Sequence, residues 1–153
     1  MRYSHNAFTM IELIFVIVIL GILAAVAIPK LAATRTDAEI SKIATNIMQG
    51  ASEIASYAVS QARTEDNLST MAQGIASLES TGEATIDTTN KKATVSYGGV
   101  SDCVTIQIAT GVEDENLSIS LADAGTHANC AQLQSAIDAG KYPMKLRGTS
   151  VAY

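Results

Sequence analysis

Few residues of this chain have the type and the company to do chemistry, and the first of them is a carboxylate in apolar surroundings. Glu12 is the fifth residue of a run, residues 8–28, that is otherwise apolar except for Thr9 and Gly21. A charge at membrane depth costs about 2.5–3.5 kcal/mol on insertion scales, so such an acid needs a partner or a task. Its chemistry would be charge pairing, since no catalytic companions surround it. His5 stands near the N-terminus and His127 in a polar stretch, each without a Cys, Asp or Glu pattern that would make it a ligand or a base. There is no GxSxG elbow, no phosphate-binding glycine loop and no HExxH pair. Glu113, Asp114 and Glu115, with Asn116 and Asp123, offer oxygens of the kind calcium takes, and read more simply as a solvated turn. Lys141, Lys145 and Arg147 would suit a polyanion or an acidic neighbour, or else keep an edge strand soluble. Cys103 and Cys130 read as one disulfide made in an oxidising compartment; two buried free thiols are the alternative, and two ligands without CxxC spacing do not make a metal site. This inventory points away from an enzyme and implies no cofactor, with calcium as the one weak candidate.

The elements that must position these residues follow from periodicity. Residues 8–28 match the roughly 20 apolar residues that cross a bilayer as a helix. Pro29 must kink that helix or end it, because it lacks an N–H and crowds the carbonyl of Ala25. Beyond it Ile40, Ile43, Ile47, Ile54 and Ala58, with Leu31, Ala38 and Val59, recur at steps of three and four. A long amphipathic helix to about Ala62 is expected, which makes a kinked rod of about 80 Å with Gly50 as its weak point. Leu68, Met71, Ala72, Ile75 and Leu78 predict a short packing helix, capped by Asp66 or Asn67 and closed by Gly82. The period then falls to two at Ile86, at Ala93, Val95 and Tyr97, at Val104, Ile106 and Ile108, and at Leu117, Ile119 and Leu121. Turns are expected at 90–92, at Gly98-Gly99 and over 111–116. Residues 131–139 predict a helical turn or two, and 141–151 alternate well enough for a last edge strand. The fold class is therefore α+β: a long N-terminal helix, half membrane and half amphipathic, on a small antiparallel sheet of about four strands.

Ala7-Phe8-Thr9-Met10-Ile11-Glu12-Leu13, followed by the pure apolar run and Pro29, closely resembles the N-terminal signature of type IV pilins and of the pseudopilins of type II secretion. The resemblance implies a leader, residues 1–7, removed by a prepilin peptidase between Ala7 and Phe8, where the family usually has Gly before the cut. It implies N-methylation of the new Phe8 amine and makes Glu12 the carboxylate that helps subunits join a helical filament. Residues 8–29 would be the membrane and filament-core helix and residues 30–153 a globular head. Partners would be further copies of the chain, the peptidase, the inner-membrane assembly machinery and membrane lipid. The subunit would wait in the bacterial inner membrane as a single-pass protein with its head in the periplasm, then enter a pilus or a secretion pseudopilus. Many pilins also carry a disulfide near the C-terminus, which agrees with Cys103 and Cys130.

A physical argument leads to the same role for Glu12. A free amine on Phe8 and the Glu12 carboxylate are each costly in hydrocarbon and much cheaper together, and an incoming subunit can supply the missing opposite charge. Competing readings predict different behaviour. A static membrane-anchored periplasmic binding protein would tolerate loss of Glu12, and an ordinary secretory signal cut near Ala24, Ala25 and Ala27 would leave Glu12 unexplained. The net charge of −5, or −6 once Arg2 leaves with the leader, disfavours nonspecific nucleic-acid binding. Aromatic residues make up 5% with no Trp, too few for a base-stacking platform.

Overall fold

The structure, a computed structural model, describes residues 8–110 and 114–148. The chain divides into two compact units, one ending at Ala38 and the other beginning at Glu39. Helix α1, Met10–Gln61, runs without interruption past Pro29, so this proline does not end the helix. Its first buried side chain is Ile40, followed by Ile43, Ala44, Ile47, Ala51, Ile54 and Ala58 at the expected three- and four-residue steps. Leu31, Ala38 and Val59, which share that period in the sequence, are exposed. The helix stops where Ala62 adopts a left-handed φ of 50°, a conformation that a non-glycine residue rarely takes and that breaks the helical ladder.

In the unit beginning at Glu39, the expected single packing helix is two pieces, α2 (Leu68–Met71) and α3 (Gln73–Ser80), because Ala72 between them is extended. Leu68, Met71, Ala72, Ile75 and Leu78 are nevertheless all buried, since both pieces turn the same side to the core. Asn67 caps α2, its side chain accepting from the Ser69 N–H at 3.0 Å. The cap residue of α3, Ala72, has no side chain to do this, and Glu53 on α1 supplies the acceptor instead, Oε2 lying 3.0 Å from the Gly74 N–H.

Five strands follow, one more than the four that the meander pattern alone supplies. They are β1 (Ala84–Asp87), β2 (Lys92–Tyr97), β3 (Val100–Thr110), β4 (Asp114–Leu121) and β5 (Met144–Gly148), all antiparallel and paired in sequence order. The fifth is the alternating tail segment, with Leu146 buried at the sheet edge. Ala93, Val95, Val104, Ile106, Ile108, Leu117 and Ile119 join the buried side of α1 in a single apolar core. Val104 pairs with Val95 and Leu121, and Ile106 with Ala93 and Ile119, so the period-two residues line up across the strands. Gly98 and Gly99, at φ 60° and 88°, form the two-residue turn between β2 and β3, as a type I′ hairpin requires.

The tail helix α4, Ala128–Ser135, begins and ends a few residues earlier than the sequence suggests, and a 3₁₀ turn follows at Ala139–Lys141. Cys103 on β3 and Cys130 on α4 form a disulfide, both fully buried. Gln134 reinforces it: its Nε2 donates to the carbonyls of Cys103 at 2.9 Å and Ala122 at 2.8 Å. This tie holds a segment with few strand contacts against the sheet.

Candidate functional site

The first turn of α1 assembles the chemistry that Glu12 needs. Thr9 precedes the helix and Glu12 lies in its first turn. The Glu12 Oε2 accepts from the Thr9 N–H at 2.9 Å and from the Thr9 Oγ1 hydroxyl at 2.7 Å. The Glu12 N–H donates back to Thr9 Oγ1 at 3.3 Å. This is a capping box, in which a Thr and a Glu three residues on satisfy each other's orphan donors at a helix start. The first helical bond, Leu13 N–H to the Thr9 carbonyl at 3.2 Å, completes the turn. Thr9 is the residue that sequence reasoning missed, although the Thr-x-x-Glu spacing is visible in the chain.

Around the carboxylate the helix surface is apolar. Phe8, Ile11, Glu12, Phe15 and Val16 line an open groove of about 320 Å³. Phe8 is 79% exposed, and the large apolar residues of α1 from Met10 through Leu31 are likewise exposed. An isolated soluble protein does not leave so long an apolar surface uncovered. Among the described residues, α1 is the one helix long and apolar enough to cross a membrane. Glu12 is therefore a carboxyl group, already hydrogen-bonded within its own chain, on a long exposed apolar surface. Ala7, on the leader side of the expected cut, lies outside the described residues.

Elsewhere the candidates separate. Of the three acids considered for calcium, Glu113 and the side chain of Asp114 lie outside the described residues. Glu115 turns to the loop between α1 and α2, where its Oε1 accepts from the Thr64 hydroxyl at 2.9 Å. The Lys91 ammonium lies 3.6 Å from that oxygen, 3.5 Å from Asp66 Oδ1 and 3.0 Å from Thr64 Oγ1. A protein cation thus pairs with Glu115 and ties the turn between β1 and β2 and the start of β4 to the segment between α1 and α2. Among the described residues, no group of three or more His, Cys, Asp or Glu could hold a metal. His127 is exposed, with its ring facing Gly99 of the hairpin. Lys141 pairs with Asp138 at 3.2 Å, Lys145 lies on the edge strand β5, and the side chain of Arg147 is outside the described residues.

Two carboxylates in the head are shifted by their hydrogen bonds. The Gly74 N–H holds the Glu53 carboxyl below its ordinary value of 4.5. Asn90, through its side chain and backbone, holds Asp87 below its ordinary value of 3.8, and this bonding shapes the turn between β1 and β2.

Residues 2–28 match the family model described as the prokaryotic N-terminal methylation motif. That motif is the signature of type IV pilins and pseudopilins, and it supports a protein of that class. It points to a structural subunit, and it implies processing by a prepilin peptidase and assembly into a filament. The motif and the long apolar helix together suit an inner-membrane anchor. No curated protein and no solved structure matches the chain.

Proposed function

We propose that this chain is a structural subunit of a type IV pilus-like filament, cut before Phe8, N-methylated there, and assembled through its N-terminal helix with Glu12 as the assembly carboxylate. The single observation that supports this best is the exposed apolar surface of α1 with one carboxylate in its first turn, inside a methylation motif. In the membrane, the capping box satisfies one oxygen of Glu12 and lowers the cost of holding the acid there. Those bonds come from Thr9, which lies after the cut, so processing leaves the box intact. What processing adds is a cationic amine on Phe8, one residue away. Within a filament the amine of one subunit can pair with the carboxylate of another. Helix-to-helix packing of the apolar surface gives the cohesion, and the pair of charges sets register.

Glu12→Ala tests the reading. The variant should insert in the inner membrane at wild-type level, because removing a charge only favours insertion, and should yield few or no filaments. Normal filament yield from Glu12→Ala would refute it. The location of the processed chain separates a pilus from a type II secretion pseudopilus: filaments sheared from the cell surface indicate the former, and processed chain confined to the membrane fraction indicates the latter.

A further inference from the structure

Two Asn-Leu-Ser triplets occur in the head, Asn67-Leu68-Ser69 and Asn116-Leu117-Ser118. Asn-x-Ser, with x other than Pro, is the acceptor triplet for N-linked sugars on chains that leave the cytoplasm. The fold treats the two triplets differently. Asn116 lies in β4, paired with Ala109 of β3 on one side and Lys145 of β5 on the other. An enzyme would have to lift β4 from both neighbours to reach it. Asn67 instead lies outside the sheet and closes the segment that links α1 to α2; it and Ser69 are half-buried, between Asp66, with a side chain 76% exposed, and exposed Thr70.

The side chain of Asn67 is held by its oxygen and not by its nitrogen. Its Oδ1 accepts from the Ser69 N–H at 3.0 Å and from the Ser69 hydroxyl at 2.7 Å. Both bonds use the carbonyl end of the amide. Among the described residues, none accepts a hydrogen bond from Nδ2. Capping of α2 accounts for an Asn at this position by itself, and Asp, Ser or Thr would cap as well. Only Asn, with a hydroxyl two residues on, both caps and accepts a sugar, and the two roles use opposite ends of the same amide.

We propose that Asn67 is an N-glycosylation acceptor, modified with an oligosaccharide from a lipid-pyrophosphate-linked donor; this rests on the reading that carries the head across the inner membrane. In the transfer, Nδ2 attacks C1 of the first sugar as the bond from C1 to the pyrophosphate oxygen breaks. The lipid pyrophosphate leaves with the electron pair, and Nδ2 gives up one proton. No oxidant or reductant is required. The attached sugar would stand at the surface beside Asp66 without disturbing the bonds to Oδ1.

The test is the intact mass of the full chain made in cells that supply a prepilin peptidase, an oligosaccharyltransferase and a lipid-linked oligosaccharide of known mass. A control acceptor protein in the same cells reports transfer. The wild type should gain the mass of one oligosaccharide. Asn67→Asp, which keeps the capping oxygen, and Ser69→Ala, which keeps the Asn, should each abolish the gain, whereas Asn116→Asp should retain it. The same spectra read leader removal and the two-hydrogen loss of the disulfide. A processed, disulfide-bonded chain that stays unmodified while the control is glycosylated would overturn the proposal, as would a sugar that persists in Asn67→Asp. A chain with leader and thiols intact would instead show that the head had not been exported, and would sink the proposal together with the reading beneath it.

Discussion

Replacing Gly74 with alanine should loosen the head more than any comparable one-methyl change at its helix contact. Gly74 opens α3 against α1, and an added Cβ would meet the Asn46 carbonyl oxygen, the Gly50 nitrogen at 2.8 Å and the Gly50 Cα at 3.2 Å. All three are main-chain atoms of α1, so no rotamer change relieves the clash and α3 must shift. Overpacking of this kind costs about 1–3 kcal/mol, and a rigid neighbour puts it at the upper end. The shift also stretches the bond from the Gly74 N–H to Glu53, a charge-assisted bond worth about 1.5–3 kcal/mol when lost outright. Against this, Ala gains about 1 kcal/mol over Gly in helix propensity. The net loss is about 2–3 kcal/mol, a urea midpoint lower by roughly 1–2 M. Gly50→Ala is the internal control. Its Cβ would meet Ile75 Cγ1 at 2.7 Å and Cδ1 at 2.8 Å, side-chain atoms that can turn aside, with only the Ile75 nitrogen at 3.2 Å fixed. With the propensity gain, that variant should fall within about 1 kcal/mol of wild type. Urea unfolding of residues 39–153, disulfide intact, gives both numbers. A Gly74→Ala midpoint equal to wild type, or higher than that of Gly50→Ala, would refute the packing argument.

Two further outcomes follow from the head. Reducing the Cys103–Cys130 disulfide, which joins residues 27 apart, should cost about 3–4 kcal/mol by the chain-entropy relation, and the Cys103→Ser/Cys130→Ser double variant should show the same loss in urea. Acid should destabilise the head through Glu53 and Asp87. Both carboxyls titrate lower in the fold than in the unfolded chain, so their contribution is whole above the ordinary values of 4.5 and 3.8 and is lost as pH falls through the lowered folded values. Glu53→Gln should flatten the fall in stability below about pH 4.5, and an unchanged pH profile for that variant would contradict the assignment.

The strands were readable because their period is exact. Ala93 and Val95, Val104 to Ile108, and Leu117 to Ile119 alternate in the chain and meet across the sheet in matching register. The buried side of α1 was readable from Ile40 onward for the same reason. The break at Ala72 was not, because Leu68 through Leu78 keep a helical spacing that both short helices satisfy. Gly50 looks like a defect in a helix until Gly74 and Ile75, more than twenty residues on, are seen to press against it. Glu115 reads as part of an acidic turn, and only the fold brings Lys91 and Thr64 to it. At the candidate site, Glu12 announced itself by its apolar surroundings. Its partner Thr9 did not, because a single Thr in an apolar run is as compatible with the interior of a membrane segment as with a helix cap.

A chain processed at Phe8 and built into a filament carries the record of both steps at its N-terminus. Intact mass with N-terminal fragmentation should be taken on filaments sheared from the cell surface and on the membrane fraction. The sheared chain should begin at Phe8, carry one added methyl group on its amine and be two hydrogens lighter for the disulfide. A chain that keeps its leader through Ala7 in every fraction would rule out assembly through a processed Phe8 and leave a static membrane anchor in its place.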